Sequence, residues 1–191
     1  MMRIAPDEYL SLDLRVHELL RDIPLYDVSV VDLPGGGARR TVADLRALEA
    51  AAPPSQVSQF LYGVRFFLGR VFGWDREPIR PETSMLSRLS DDDRRHSSVT
   101  PGTRFGAFLM LYEFPGESLA ETRNATVHGF ICTALAPAAN GYRMYYGIYV
   151  RRVSRLTRPY LILIEPFRRV LYPAMFRRIR RAWIARYGSP Q

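Results

Sequence analysis

The chain has 191 residues, 47% of them hydrophobic, which suits one domain that buries roughly 70% of the surface exposed by its unfolded form. Its positive charge is concentrated at one end: residues 151–191 hold eleven of the twenty-seven arginines and one acid, whereas residues 1–150 hold sixteen arginines and eighteen acids. A single cysteine, Cys132, excludes an internal disulfide and a zinc site made of cysteines. Residues 1–20 contain no secretory signal, and the longest apolar run, 160–164, is too short to span a bilayer, so we expect a cytoplasmic protein.

The first third of the chain alternates between regular elements and breaks. Alternating apolar and polar residues from Leu12 to Val16 predict a first strand, and Asp27 is placed to cap a short helical turn over residues 28–33. The run 34–37, a proline followed by three glycines, then breaks the chain.

Two helices and a connection are predicted next. Thr41 is a suitable N-cap for a helix over 42–51, and Ser55 caps a second helix whose apolar positions keep helical spacing up to Gly73. Residues 75–103 are rich in proline, serine, aspartate and arginine, and they form a long connection with a short helix around residues 85–89.

The pattern after residue 103 is typical of strands. Asn140-Gly141 is the sharpest turn sequence of this region. Alternation in the last strand places Tyr142, Met144, Tyr146 and Ile148 on one side of the sheet. The predicted strands are rich in β-branched and aromatic residues and cover 104–114, 118–124, 126–136 and 142–153.

A long helix over 155–187 is predicted to close the chain, with its aromatic residues on one stripe. Pro166 and Pro173 each remove a backbone hydrogen bond, so we expect the helix to be kinked. The predicted fold class is α+β: a curved antiparallel sheet packed on this helix, with two shorter helices after the first strand, in a single domain over 1–191. Such a helix would cover a concave sheet and leave a cavity beneath it.

Several motifs resemble a bacterial family known as Domain of Unknown Function 2867. They are RVHEL at 15–19, GWD at 73–75, NATVHG at 124–129 and YLILIEPFRRVLYP at 160–173. That family is similar to the START-like superfamily of polyketide cyclase and dehydrase-like (SRPBCC) proteins. The resemblance implies a START-like helix-grip fold, in which the sheet wraps around the C-terminal helix and encloses a cavity for a hydrophobic ligand.

His128 is the main candidate for catalysis. It is predicted on a strand together with Thr126, and Asn124 begins the same stretch, so the three side chains would form a polar row on an apolar wall. A histidine there could act as a general acid or base, with Asn124 or Tyr146 as its partner. The alternative is a histidine that only bonds to backbone groups at the edge of the sheet.

Other residues are candidates for lining the cavity and binding a ligand. Glu113 is either a pocket carboxylate or a solvent-facing residue near a turn, and tyrosines facing a pocket could bind a ligand oxygen. The predicted ligand-binding residues are Thr126, Glu113, Tyr142, Met144, Trp74, Phe167 and Arg168.

No metal or cofactor is expected. The cluster from Asp91 to His96 lacks the glycine and glutamate of a calcium loop, and the glycines at 35–37 have neither the lysine of a phosphate-binding loop nor dinucleotide spacing. Arg177, Arg178, Arg180 and Arg181 form either a solvated helix face or a surface for an anionic membrane or ligand. Nucleic acid is not favoured, since no binding module accompanies the charge.

Three functional hypotheses follow. The first is a protein that binds a small apolar ligand, such as a lipid, an isoprenoid or a polyketide-like molecule, between the sheet and the C-terminal helix. The second is a cyclase, dehydratase or isomerase of the same shape that uses His128. The third is a peripheral membrane protein that binds through its basic helix.

Overall fold

The computed structural model describes residues 2–3, 6–51 and 83–188. In these ranges, seven strands form one antiparallel sheet in the order β1-β2-β7-β6-β5-β4-β3. The strands are β1 (Met2–Arg3), β2 (Leu25–Pro34), β3 (Arg104–Phe105), β4 (Phe108–Glu113), β5 (Glu117–Arg123), β6 (Val127–Ala138) and β7 (Gly141–Arg152).

The helices of the described ranges are α1 (Pro6–Leu10), α2 (Arg15–Leu19), α3 (Val42–Ala51), α4 (Asp91–His96) and α5 (Thr157–Tyr187), with a 3-10 helix at Met85–Arg88. The α+β class, the antiparallel sheet and its packing against a long C-terminal helix are confirmed. The arrangement is consistent with a helix-grip fold. The second predicted helix, over 55–73, lies outside the described residues. None of the helices in the described ranges combines the length and hydrophobicity needed to cross a bilayer.

The two sides of the sheet carry separate cores. On one side, Val30, Phe130 and Tyr149 pack with Tyr9 of α1 and Val16 of α2. On the other side, which we call the helix side, α3 and α5 pack on β2 and β7. The predicted alternation along β7 is confirmed, since Tyr142, Met144, Tyr146 and Ile148 all lie on the helix side.

Two predictions near the N-terminus are wrong. The segment predicted as a first strand leads into α2, which begins at Arg15. The first turn of this helix is stabilised because the carboxylate of Glu117 accepts hydrogen bonds from the otherwise unpaired backbone N–H groups of Arg15 and Val16. The turn predicted over 28–33 belongs to β2, because pairing with β7 from Leu25 to Pro34 satisfies its backbone and buries its valines.

The described part of the predicted connection, residues 83–103, contains one helix that the sequence did not predict. The short helix around residues 85–89 is confirmed as the 3-10 helix. The acidic run that follows forms α4, whose first turn is closed by a capping box between Ser90 and Asp93. Arg15 then joins α4 to α2 through two hydrogen bonds to Asp93, of 3.0 and 2.9 Å.

The C-terminal half of α5 is fixed to the sheet by a buried aromatic cluster. Trp183 is fully buried, donates its indole N–H to the carbonyl of Pro34 at 3.1 Å and packs edge-on to Tyr142. A side chain at Gly36 would collide with the Trp183 ring, since its Cβ would lie 2.8 Å from Cζ2. The helix continues through Pro166 and Pro173. Its kinking there stays a prediction.

The Trp183 anchor gives a stability test. Replacing Trp183 with alanine removes a fully buried ring and its hydrogen bond, so the free energy of unfolding should fall by about 3–5 kcal/mol. Ile184, the next residue, is 37% exposed, and its alanine variant should lose less than about 1 kcal/mol. Urea unfolding measures both, and equal losses would show that the cluster is not the anchor.

Candidate functional site

Small side chains on the helix side of β5 and β6 leave room beneath α3 and α5. Ser118 and Ala120 of β5 and Thr133 of β6 line a cavity of about 370 Å³ beside α3, which we call the α3 cavity. Thr122 and Gly129 line a second cavity of about 210 Å³ under the first half of α5, the α5 cavity. The two cavities share Phe108 and Ile131 as lining residues and are therefore neighbours.

The α3 cavity combines an apolar floor with a neutralised polar edge. Glu113 lines it with a side chain that is 1% exposed, paired to Arg46 through contacts of 2.7 and 3.1 Å. Ser98 donates a further hydrogen bond of 2.7 Å to the same carboxylate. The carboxylate of Glu113 thus lies at the cavity, as one of the two interpretations expected. Its charge is already paired with the guanidinium group of Arg46.

Glu49 stands at the same cavity. The residue is exposed, and it lines the cavity together with Arg46. This acid was not among the predicted site residues, because nothing in the helical pattern of α3 shows which polar positions look into a cavity.

Arg168 is the central charged residue of the α5 cavity. It is buried and forms ion pairs of 2.6 Å with Asp27 of β2 and 3.1 Å with Glu165. The rings of Tyr26 and Tyr172 lie 4.9 and 5.2 Å from its guanidinium carbon. Burial alone would lower the pKa of Arg168, but Tyr172, Asp27 and Glu165 outweigh it and raise the pKa.

One donor of Arg168 remains unsatisfied. Its Nε is buried and finds no acceptor among the described residues. A buried donor without an acceptor costs about 1–3 kcal/mol. The arrangement therefore favours an additional oxygen acceptor close to this side chain.

The structure places Tyr146, a predicted catalytic partner, and the remaining predicted ligand-binding residues in different surroundings. Tyr146 lines the α3 cavity and touches Tyr172 and Phe176 edge-on, with ring centroids 5.6 and 5.4 Å apart. Tyr142 and Met144 belong to the packed cluster around Trp183, and the Tyr142 hydroxyl donates to the carbonyl of Gly37 at 3.0 Å. Phe167 is half-buried on α5. Trp74 lies outside the described residues.

The predicted polar row on β6 does not form. His128 points to the side of the sheet away from α5, where its Nε2 lies 3.0 Å from Glu121 and its ring packs against Phe130. Asn124 instead lines the α5 cavity, and it shapes the turn before β6 by accepting hydrogen bonds from the N–H and hydroxyl groups of Thr126. His128 and Tyr146 therefore do not share a pocket, because alternation along β6 places Val127 and Gly129 on the helix side and His128 on the far side.

Two buried acids of β5 organise that far side. Glu121 accepts hydrogen bonds from the hydroxyl of Ser84 and the N–H of Met85, at the start of the 3-10 helix. Glu117 accepts from α2 and, at 3.0 Å, from the hydroxyl of Tyr112. These carboxylates tie short helices to the sheet, and the sequence analysis missed them because an isolated Glu on a strand resembles a solvent-facing residue.

A comparison with known protein families gives a match that includes the residues lining both cavities. The model of a family described as Protein of unknown function (DUF2867) matches residues 19–175. The chain belongs to this family. No curated protein gives a significant match.

The DUF2867 match includes the residues that line the α3 and α5 cavities, up to Tyr172 and Met175, and it ends before the Phe176 to Trp183 anchor. Within the part of this DUF2867 protein that the structure describes, no group of three or more His, Cys, Asp or Glu side chains is placed to hold a metal ion.

Glu117 gives a pH test in this DUF2867 protein. Burial raises its pKa above the ordinary 4.5, although Arg15, Tyr112 and Val16 oppose the shift through their hydrogen bonds. The folded state thus binds this proton more tightly than the unfolded state. Its contribution to stability is complete below pH 4.5 and is lost as the pH rises through the folded pKa.

Glu117→Gln removes this titration. The free energy of unfolding of the wild type, relative to the variant, should therefore fall as the pH rises above 4.5 and through the raised pKa, as urea unfolding at several pH values would show. If the stabilities of the two proteins change with pH in parallel, the pKa of Glu117 is not raised by folding.

Proposed function

We propose that this protein binds a small, neutral and mostly apolar molecule between the sheet and α5. The observation that carries the proposal is the pair of neighbouring cavities on the helix side, lined largely by apolar and aromatic side chains. The volume of the α3 cavity lies within the usual range of about 300–1,000 Å³ for ligand sites. The second cavity extends this space towards Arg168.

The charges around the cavities favour a neutral ligand. Arg46 is paired with Glu113, and Arg168 is paired with both Asp27 and Glu165, so neither guanidinium offers an unneutralised charge to an anion. The Nε–H group of Arg168 can nevertheless donate a hydrogen bond to an oxygen of the ligand. A lipid, isoprenoid or polyketide-like molecule with a hydroxyl, ether or carbonyl oxygen meets both conditions.

The order of elements supports a further proposal, membership of the START-like superfamily. Its support is the antiparallel sheet that packs on the long closing helix with space between them. Catalysis is not favoured by the same geometry. His128, the candidate acid or base, lies across the sheet from Tyr146 and is bonded to a structural carboxylate.

Filling the α5 cavity tests the proposal. A Cβ at Gly129 would meet Thr122 at an ordinary contact distance of 3.6 Å, so Gly129→Leu should fold and place its side chain in the space for the ligand. We expect the affinity for Nile red, a neutral apolar dye, to fall at least about tenfold in a fluorescence titration.

The matched control is Gly116→Leu, in the exposed turn between β4 and β5, where a Cβ meets nothing within 4 Å. This variant should bind the dye like the wild type. A long-chain alcohol should displace the dye better than the carboxylate of equal length. Unchanged binding by Gly129→Leu, together with no molecule co-purifying in native mass spectrometry, would overturn the proposal.

A further inference from the structure

The first half of α5 exposes apolar side chains on its outer surface. Ile162 is 74% exposed, Val170 53% and Leu163 42%, and Leu156, the N-cap of the helix, is 58% exposed. Positions 162, 163, 166 and 170 fall on one side of a helix, so the residues adjoin one another. Tyr26, 42% exposed on β2, faces the same region. Adjoining exposed side chains of this size mark an interaction surface more often than scattered ones do.

Arginines surround these apolar residues. Arg152, Arg155, Arg158 and Arg169 are all exposed, and they lie at the end of β7, in the turn that follows it and along the first half of α5. Glu165 is the single acid of α5, and it is paired with Arg168 and Arg169. We call the exposed apolar residues and their four arginines the docking face; because Arg169 is paired with Glu165, the positive charge of this face comes mainly from Arg152, Arg155 and Arg158.

A trough runs along the docking face and lies next to the α5 cavity. It has a volume of about 810 Å³, and its lining includes Arg152, Arg158, Ile162 and Arg169. Three further residues, Tyr26, Val150 and Leu161, line both the trough and the α5 cavity. The trough therefore lies on the outer side of the cavity, and these three side chains separate the two.

We propose that the docking face binds to the surface of an anionic membrane, with the trough turned towards the lipid. Arginines attract anionic headgroups, at about 1 kcal/mol each near the surface, and apolar side chains between them enter the boundary with the acyl chains. The charge and the apolar residues of this face are complementary to that boundary. Membrane binding itself does not require a ligand in the cavity.

The position differs from the one expected from sequence alone. Arg177, Arg180 and Arg181 are exposed further along α5, but the large apolar side chain exposed near them is Ile184, at 37%. Arg180 also donates to the carbonyl of Asp32 at 3.3 Å. A surface of arginines with little apolar area is solvated well by water, so the first half of α5 is the better membrane contact.

Vesicle flotation with the full chain tests the inference. The wild type should float with vesicles of phosphatidylcholine and phosphatidylglycerol, much less with phosphatidylcholine alone, and less at high salt. Arg155→Ser with Arg158→Ser should reduce partitioning about tenfold or more, since each arginine contributes about fivefold. Ile162→Ser with Leu163→Ser should reduce it comparably without any change of charge.

The matched control is Arg177→Ser with Arg181→Ser, which removes the same charge from the second half of α5. This pair should have clearly the smaller effect. An equal loss in the control, no effect of the apolar pair, or no flotation of the wild type would each overturn the inference, the last also pointing to an acidic protein partner. Gly129→Leu should float like the wild type, which separates docking from ligand binding.

Discussion

The placement of α5 is the constraint on which the cavities depend. The hydroxyl of Thr157 donates to the carbonyl of Thr126 at the start of the helix, Arg168 pairs with Asp27 in the middle, and Trp183 is buried near its end. These contacts hold the helix over β2, β7 and the turn before β6. Beside it, β5 and β6 present small side chains such as Ala120 and Gly129 to the helix side, so the space is not filled by their own atoms. The α3 and α5 cavities therefore exist because the helix is held in place and the strands beside it carry small side chains.

The sheet separates two kinds of polar chemistry. On the far side, Glu117, Glu121 and His128 are buried and fully engaged in holding α2 and the 3-10 helix, so their conspicuous side chains serve stability. On the helix side, the ion pairs of Arg46 and Arg168 border open space. The role of a titratable residue in a strand therefore cannot be assigned until the side of the sheet on which it lies is known.

Local patterns predicted much of this fold, and long-range contacts account for the rest. The period-two pattern of β7, the turn at Asn140 and the spacing of the closing helix are properties of neighbouring residues, and the structure confirms these elements. The helix α2 depends on Glu117, about a hundred residues away, and β2 depends on β7, so neither was predictable locally. Likewise, Glu113 and Arg168 were identified as candidates, but their partners Arg46 and Asp27 come from distant elements. The expected placement of His128 in the cavity wall was wrong, because local alternation does not show which side of β6 faces α5.

The proposed function requires that the space between α5 and the sheet is available to a molecule other than the protein. A crystal structure of the protein, purified without any step that strips bound molecules, tests it most directly. We expect electron density that does not belong to the protein, bounded by Ile131, Leu161 and Tyr172, with an oxygen close to Arg168. The opposite result is a space filled by the chain's own side chains, and it would remove the basis for the binding function.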